Sequence, residues 1–149
     1  VLDQADFEHL LKLRTGLRRF LRWSEEHARA AGLTATRHQL LLAIQGDPDR
    51  AGPTIGDLAG HLVLRHHSAV GLVDRAVKDG LVRRTPDAAD RSVVRVTLTP
   101  ASAAKLDALA EAHLQEIAHL APTMRALWRE LDGDGATPDR AARRPKATS

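Results

Sequence analysis

Three histidines and four arginines stand closest to chemistry in this sequence. His61, His66 and His67 lie near one another, and imidazole both ligates transition metals and titrates near neutrality. On a helix, however, adjacent side chains such as those of His66 and His67 diverge by about 100°. With no cysteine in the chain and no nearby carboxylate to complete a tetrahedron, a metal site is not expected. The remaining readings are contact with a polyanion and plain surface exposure. Arg83, Arg84, Arg91 and Arg95 outnumber Asp87 and Asp90 over the following stretch. Guanidinium groups on a ribbon suit a narrow, negative nucleic-acid groove through charge and shape, or else decorate a solvated hairpin. Catalysis finds no support: there is no thiol nucleophile, no Gly-x-Ser-x-Gly elbow and no glycine-rich phosphate loop. Asp87 and Asp90 sit in a polar turn, where water keeps carboxylates ordinary. Neither enzyme activity nor a cofactor is expected.

The elements that must position these groups follow from periodicity. Thr54 is a good N-cap, with Asp57 three residues on for an acidic capping box, and Ile55, Leu58, Ala59 and Leu62 form a buried face. A second short helix is expected from Arg65 or His66 to just before Gly80, with Ala69, Leu72, Val73 and Ala76 inward. His66, His67, Ser68, Val70, Gly71, Asp74, Arg75 and Lys78 are left outward or on the flanks. Leu81–Thr85 and Val93–Leu98 alternate and are β-branched, so they pair as a hairpin across Pro86 and the DAADRS turn. A helix-turn-helix with a β-ribbon behind it places one helix in a DNA major groove and the ribbon beside it.

The flanks read as long helices. From Asp6 to Ala31, Phe7, Leu10, Leu11, Leu17, Phe20 and Leu21 make an apolar stripe, with Asp3 or Asp6 capping the start and Gly32 the end. Thr34–Gln45 is a further helix with Thr34 as N-cap, and residues 46–53 are a loop. After Thr99, Pro100 opens a helix through Leu106, Leu109, Ala110, Leu114, Ile117 and Leu120; Pro122 is expected to open a separate short helix carrying Met124, Leu127, Trp128 and Leu131. Residues 132–149 lack apolar periodicity and read as a disordered tail. The fold class is therefore mainly α with a small β-hairpin wing, an α+β arrangement. Residues 34–99 form a winged helix-turn-helix domain, and residues 1–33 and 100–131 a helical dimerisation region.

Composition bounds the rest. At 149 residues the chain is one ordinary domain, and 43% hydrophobic with 28% charged residues are globular values. The net charge of +3 is too small to establish a nucleic-acid partner, so charge placement decides. The lack of cysteine suits a reducing, cytoplasmic setting. No apolar run of about 18 residues marks a membrane span, and the N-terminus lacks the pattern of a signal peptide. His9, His27, His38, His113 and His119 are scattered on helices as surface or interface groups.

The order and spacing of Thr54-x-x-x-Leu58-Ala59, Leu72-Val73-Asp74-Arg75, Lys78-Asp79-Gly80-Leu81-Val82 and Asp90-Arg91 followed by Leu98-Thr99 resemble the MarR family of winged-helix transcriptional regulators over roughly residues 6–131. The resemblance implies a homodimer whose terminal helices interleave and whose recognition helices enter successive major grooves of a pseudo-palindromic site in double-stranded DNA. It further implies a repressor, released when a small aromatic or anionic effector binds. Carried onto this chain, the DNA contacts fall on Thr54, Arg65, His66, His67, Ser68, Val70, Gly71, Arg75, Arg84, Arg91 and Arg95. An effector would meet Arg18, Arg22 and His38. Two departures stand out. The family wing reads Asp-x-Arg, whereas Ser92 follows Arg91 here, which passes the minor-groove contact to Arg91, Arg84 or Arg95. Val70 and Gly71 are also less polar than usual, leaving base reading to His66, His67, Ser68 and a methyl contact from Val70. The alternative is a dimeric helical protein-interaction module that has lost DNA readout.

Overall fold

The structure is a computed structural model that describes residues 1–133. Asp3 and Asp6 each accept the other's backbone N–H at 3.0 Å and open α1 (Gln4–Ala30). Gly32, at φ +80°, turns the chain out of it. Thr34 Oγ1 accepts the Arg37 N–H at 3.2 Å and caps α2 (Ala35–Gly46). Thr54 and Asp57 close a reciprocal capping box on α3 (Ile55–Leu62). The next helix is α4 (His66–Lys78); β1 (Val82–Pro86) and β2 (Val94–Leu98) form one antiparallel hairpin, and α5 (Pro100–Gly133) ends the described chain. Among the described residues, no helix is long and apolar enough to cross a membrane.

The chain divides into two compact units, Leu21–Gln115 on one side and Val1–Phe20 with the chain from Glu116 onward on the other. Both boundaries fall inside helices, so residues 21–33 and 100–115 group with the winged portion. In the larger unit α2, α3, α4 and the hairpin pack together around Leu40, Leu41, Leu58, Val73 and Val96, all fully buried. Each such side chain contributes about 1.5–3 kcal/mol of apolar burial. The inward positions read from the sequence for α4, namely Ala69, Leu72, Val73 and Ala76, are the buried ones. In the smaller unit His9 Nε2 lies 3.1 Å from Glu130 Oε2, and Gly16 faces Met124.

Hairpin register pairs Val82 with Leu98, Arg84 with Val96 and Pro86 with Val94. Its base is tied at one carbonyl: Leu81 O accepts the Thr99 N–H at 3.1 Å and the Ser102 hydroxyl, while the Thr99 hydroxyl donates to Gly80 O at 2.8 Å. The α2–α3 loop is fastened to β2 as well, with Val96 N–H donating to Pro53 O at 2.9 Å.

One expectation fails in α5. Pro122 does not open a separate helix but lies inside a continuous one. It removes one amide donor and crowds the preceding turn, at a cost of about 3 kcal/mol in a helix interior. The stripe Ile117, Leu120, Met124 and Leu127 keeps three- and four-residue spacing across it, so one helix keeps a single apolar face where two would not. The helix also takes in Asp132 and Gly133, which were expected in the tail; residues 134–149 lie outside the described residues.

Two backbone positions test the tightness of this unit. Val63, in the turn between α3 and α4, adopts φ +53° although it carries a β-branched side chain, a conformation costing an L-residue about 1–2 kcal/mol. Gly52, at φ +97°, leaves room for none: a Cβ there would stand 2.5 Å from Val96 O. Val63→Gly therefore raises stability by up to about 1 kcal/mol after the entropy of the added glycine is counted, whereas Gly52→Ala lowers it by about 2 kcal/mol or more. Urea unfolding measures both; equal signs would contradict the geometry.

Candidate nucleic-acid interface

The outward face of α4 is built by exclusion. Its N-cap, Arg65, offers no side-chain acceptor, so the first-turn amides at His66 and His67 are left without an intrahelical partner and carry the positive end of the helix dipole outward. Arg65, His66 and His67 are exposed, and Ser68, Val70 and Gly71 are half-buried on its flanks. Arg75 is exposed and leans back over Gly71, where a Cβ would come within 3.3 Å of its Nη1. The small residue at 71 thus makes room for a guanidinium. Thr54 is more occupied: its hydroxyl donates to Asp57 Oδ2 at 2.8 Å and accepts the Asp57 N–H. What α3 offers a phosphate is the amides of Ile55 and Gly56 rather than this hydroxyl.

On the wing three of the four arginines, Arg95, Arg84 and Arg91, separate into different roles. Arg95 is drawn inward. Its Nε donates to Asp87 Oδ1 at 3.0 Å, and its Nη1 to Asp49 Oδ2 at 2.9 Å and to Gly52 O at 3.1 Å. It clamps the hairpin to the α2–α3 loop, which removes it from the surface where the sequence reading had put it. Arg84 reaches across from β1 to Asp74 on the outward side of α4. It neutralises a carboxylate that would otherwise repel phosphate, an arrangement that spacing alone did not disclose. Ser92 turns its hydroxyl onto Asp90 Oδ1 at 2.6 Å, so it shapes the tip. Arg91 is exposed and, among the described residues, forms no ion pair.

The wing carboxylates are held in their ionised form by local donors. Asp87 is held below the usual carboxylate value by the Asp90 N–H first and then by Arg95. The Ser92 hydroxyl and N–H do the same for Asp90. His61, on α3, lies 2.8 Å from Asp47 and lowers the Asp47 pKa, so this imidazole is engaged by a carboxylate.

The expected effector residues fall in both units. Arg22 is turned to solvent, its side chain 83% exposed, with Nε on Glu26 Oε1. Arg18 belongs to the other unit. His38 is buried, and burial followed by the neighbouring His113 pushes its pKa below the ordinary imidazole value. Its ring neighbour is His113, which in turn meets Trp23, itself beside His27. Trp23 and His27 are one helical turn apart, a legible pairing; their meeting with residues 38 and 113 depends on how three helices cross.

A capped α3, a turn, an α4 with an open outward face and a two-stranded ribbon behind it define a winged helix-turn-helix. A family model for the MarR family matches residues 31–91. The chain is 31% identical over 105 residues to the transcriptional activatory protein BadR of Rhodopseudomonas palustris, which covers 70% of this chain. The chain spans about half the length of that relative, 54%. A MarR family protein from Bacillus stearothermophilus has a similar structure, with a TM-score of 0.69 at 20% identity over 90% of this chain and 98% of that one. A MepR variant from S. aureus bound to an oligodeoxyribonucleotide has a TM-score of 0.64 at 14% identity, covering 86% of this chain and 96% of its own. These matches place residues 31–91 in the MarR family of transcriptional regulators.

The division of labour on the wing is measurable. Arg95→Ala lowers the urea midpoint at pH 7, whereas Arg91→Ala leaves it unchanged. Because Asp87 is more acidic folded than unfolded, its contribution is present above the ordinary carboxylate value and is lost as pH falls through its lowered folded value. The gap between wild type and Arg95→Ala therefore narrows on acidification below about pH 4, a trend that paired urea titrations at pH 7 and pH 3.5 would reveal.

Proposed function

We propose that this chain binds double-stranded DNA as a homodimer and acts as a sequence-specific transcriptional regulator. The carrying observation is the outward face of α4 with its uncapped N-terminus, flanked by Arg65 and Arg75 and by Arg91 on the wing. Backbone amides and guanidinium groups there would hold phosphates and set register. His66, His67, Ser68, Val70 and Arg75 would meet base edges, arginine being suited to guanine and a valine methyl to thymine. Arg91 takes the wing contact, with Arg84 and Arg95 acting as struts behind it. That a MepR variant was solved with an oligodeoxyribonucleotide supports the reading.

Dimerisation is supported by apolar surface. Phe7, Leu10, Leu11 and Leu17 on α1 and Ile117 and Trp128 on α5 are each about half exposed in the single chain, more than a soluble monomer usually shows on one pair of helices. A second copy would cover them and would put two α4 helices one DNA turn apart, which calls for a pseudo-palindromic operator. Repression, with release by a small aromatic or anionic molecule, completes the proposal. BadR is named an activator, so the sign of regulation is a matter for the promoter.

Random-site selection followed by anisotropy at several salt concentrations tests the reading. A palindromic preference is expected, with affinity falling steeply with salt. Arg91→Ala should reduce the slope of log K against log salt by about 0.9 per subunit contact without altering the preferred sequence. A stable dimer that selects no sequence would instead point to the protein-interaction module.

A further inference from the structure

The cluster around His38 takes no part in the proposed base contacts. His38 sits on α2 with 6% of its surface exposed, its ring centroid 4.9 Å from that of His113 on α5. His113 Nδ1 lies 2.7 Å from Leu109 O and so carries a hydrogen, while Nε2 lies 2.6 Å from Ser24 Oγ. A hydroxyl can donate to the neutral ring or accept from the charged one, so this bond persists in either state. Trp23 on α1 stands 4.9 Å from His113 and 3.9 Å from His27, whose Nδ1 lies 2.9 Å from Trp23 O. Three helices therefore meet through tilted and edge-on ring contacts.

We infer that the His38–His113 contact is a proton-operated release: neutral rings seat α2 against α1 and α5, and protonation unseats it and weakens DNA binding. Two imidazolium groups at this separation repel, and one of them lies where water scarcely reaches. The groups facing His38 are His113 from α5 and, beyond Trp23, His27 from α1. Among the described residues no carboxylate pairs with His38; on α2 itself Arg37 is taken by Asp79, and on α1 Glu25 and Glu26 are taken by Arg29 and Arg22. Since α2 packs on α3 and on β2, any shift of α2 is felt at both the helix-turn-helix and the wing.

The sign follows from linkage. His38 binds a proton more weakly folded than unfolded. Its contribution to stability is therefore whole above the ordinary imidazole value, about 6.5, and is lost as pH falls from there through its lowered folded value.

The DNA readout rests on the proposed function, and the thermal readout does not. Anisotropy on the duplex recovered at pH 8 is repeated at pH 5.5 and fixed ionic strength. The wild type should lose about tenfold in affinity, while His38→Gln and His113→Gln, which keep polarity without charge, lose less than about threefold. In parallel, the wild-type melting temperature should fall over that interval and flatten in either variant. If one variant does not fold, the other decides. Affinity that holds or rises in acid, or variants that lose as much as the wild type, would overturn the inference. If no duplex is recovered at any pH, the DNA reading has failed and the melting profiles decide alone: a wild-type profile that is flat, or that either variant shares, overturns it.

Discussion

A two-stranded ribbon is marginal in water, and this one exists because Arg95 fastens it. A single guanidinium meets Asp87 on the hairpin, Asp49 on the α2–α3 loop and the carbonyl of Gly52. Those bonds need the loop to lie against β2, and the loop lies there because Gly52 has no side chain to collide with Val96 O. The main-chain bond from Val96 to Pro53 then extends the ribbon toward a third strand. Wing, loop and α3 are consequently one rigid piece. The exposed Arg91 at its tip owes its position to residues that never need to touch a ligand.

Much of this was legible in the sequence where the physics is local. Thr34 and Thr54 as caps and the inward face of α4 depend only on neighbours along the chain, and each stands as read. Pro122 misled because a local penalty was weighed without the apolar stripe continuing on both sides of it. Arg95 misled for the opposite reason. On a ribbon an arginine reads as a solvent-facing cation, and only the fold shows that Asp49, far off in sequence, arrives beside it. The ring cluster at His38 was hidden in the same way, since no spacing rule joins residues 23, 38 and 113.

The outward surface is also less cationic than a count of arginines suggests. Arg84 and Arg95 are committed to Asp74, Asp87 and Asp49. Arg65 and Arg75 on α4 and Arg83 and Arg91 on the wing remain exposed and, among the described residues, outside these ion pairs.

The knot at Leu81 O has a consequence for motion. The start of β1, the end of β2 and the first turn of α5 share acceptors within a few ångströms, through Thr99 and Ser102. The tip beyond Pro86 is held mainly by Asp87, Asp90 and Ser92 among themselves. Amide exchange across the hairpin should therefore be graded, fast at the turn and slow at the root. A ribbon that frays from its tip inward can adapt to a groove while its base keeps a constant distance from α4.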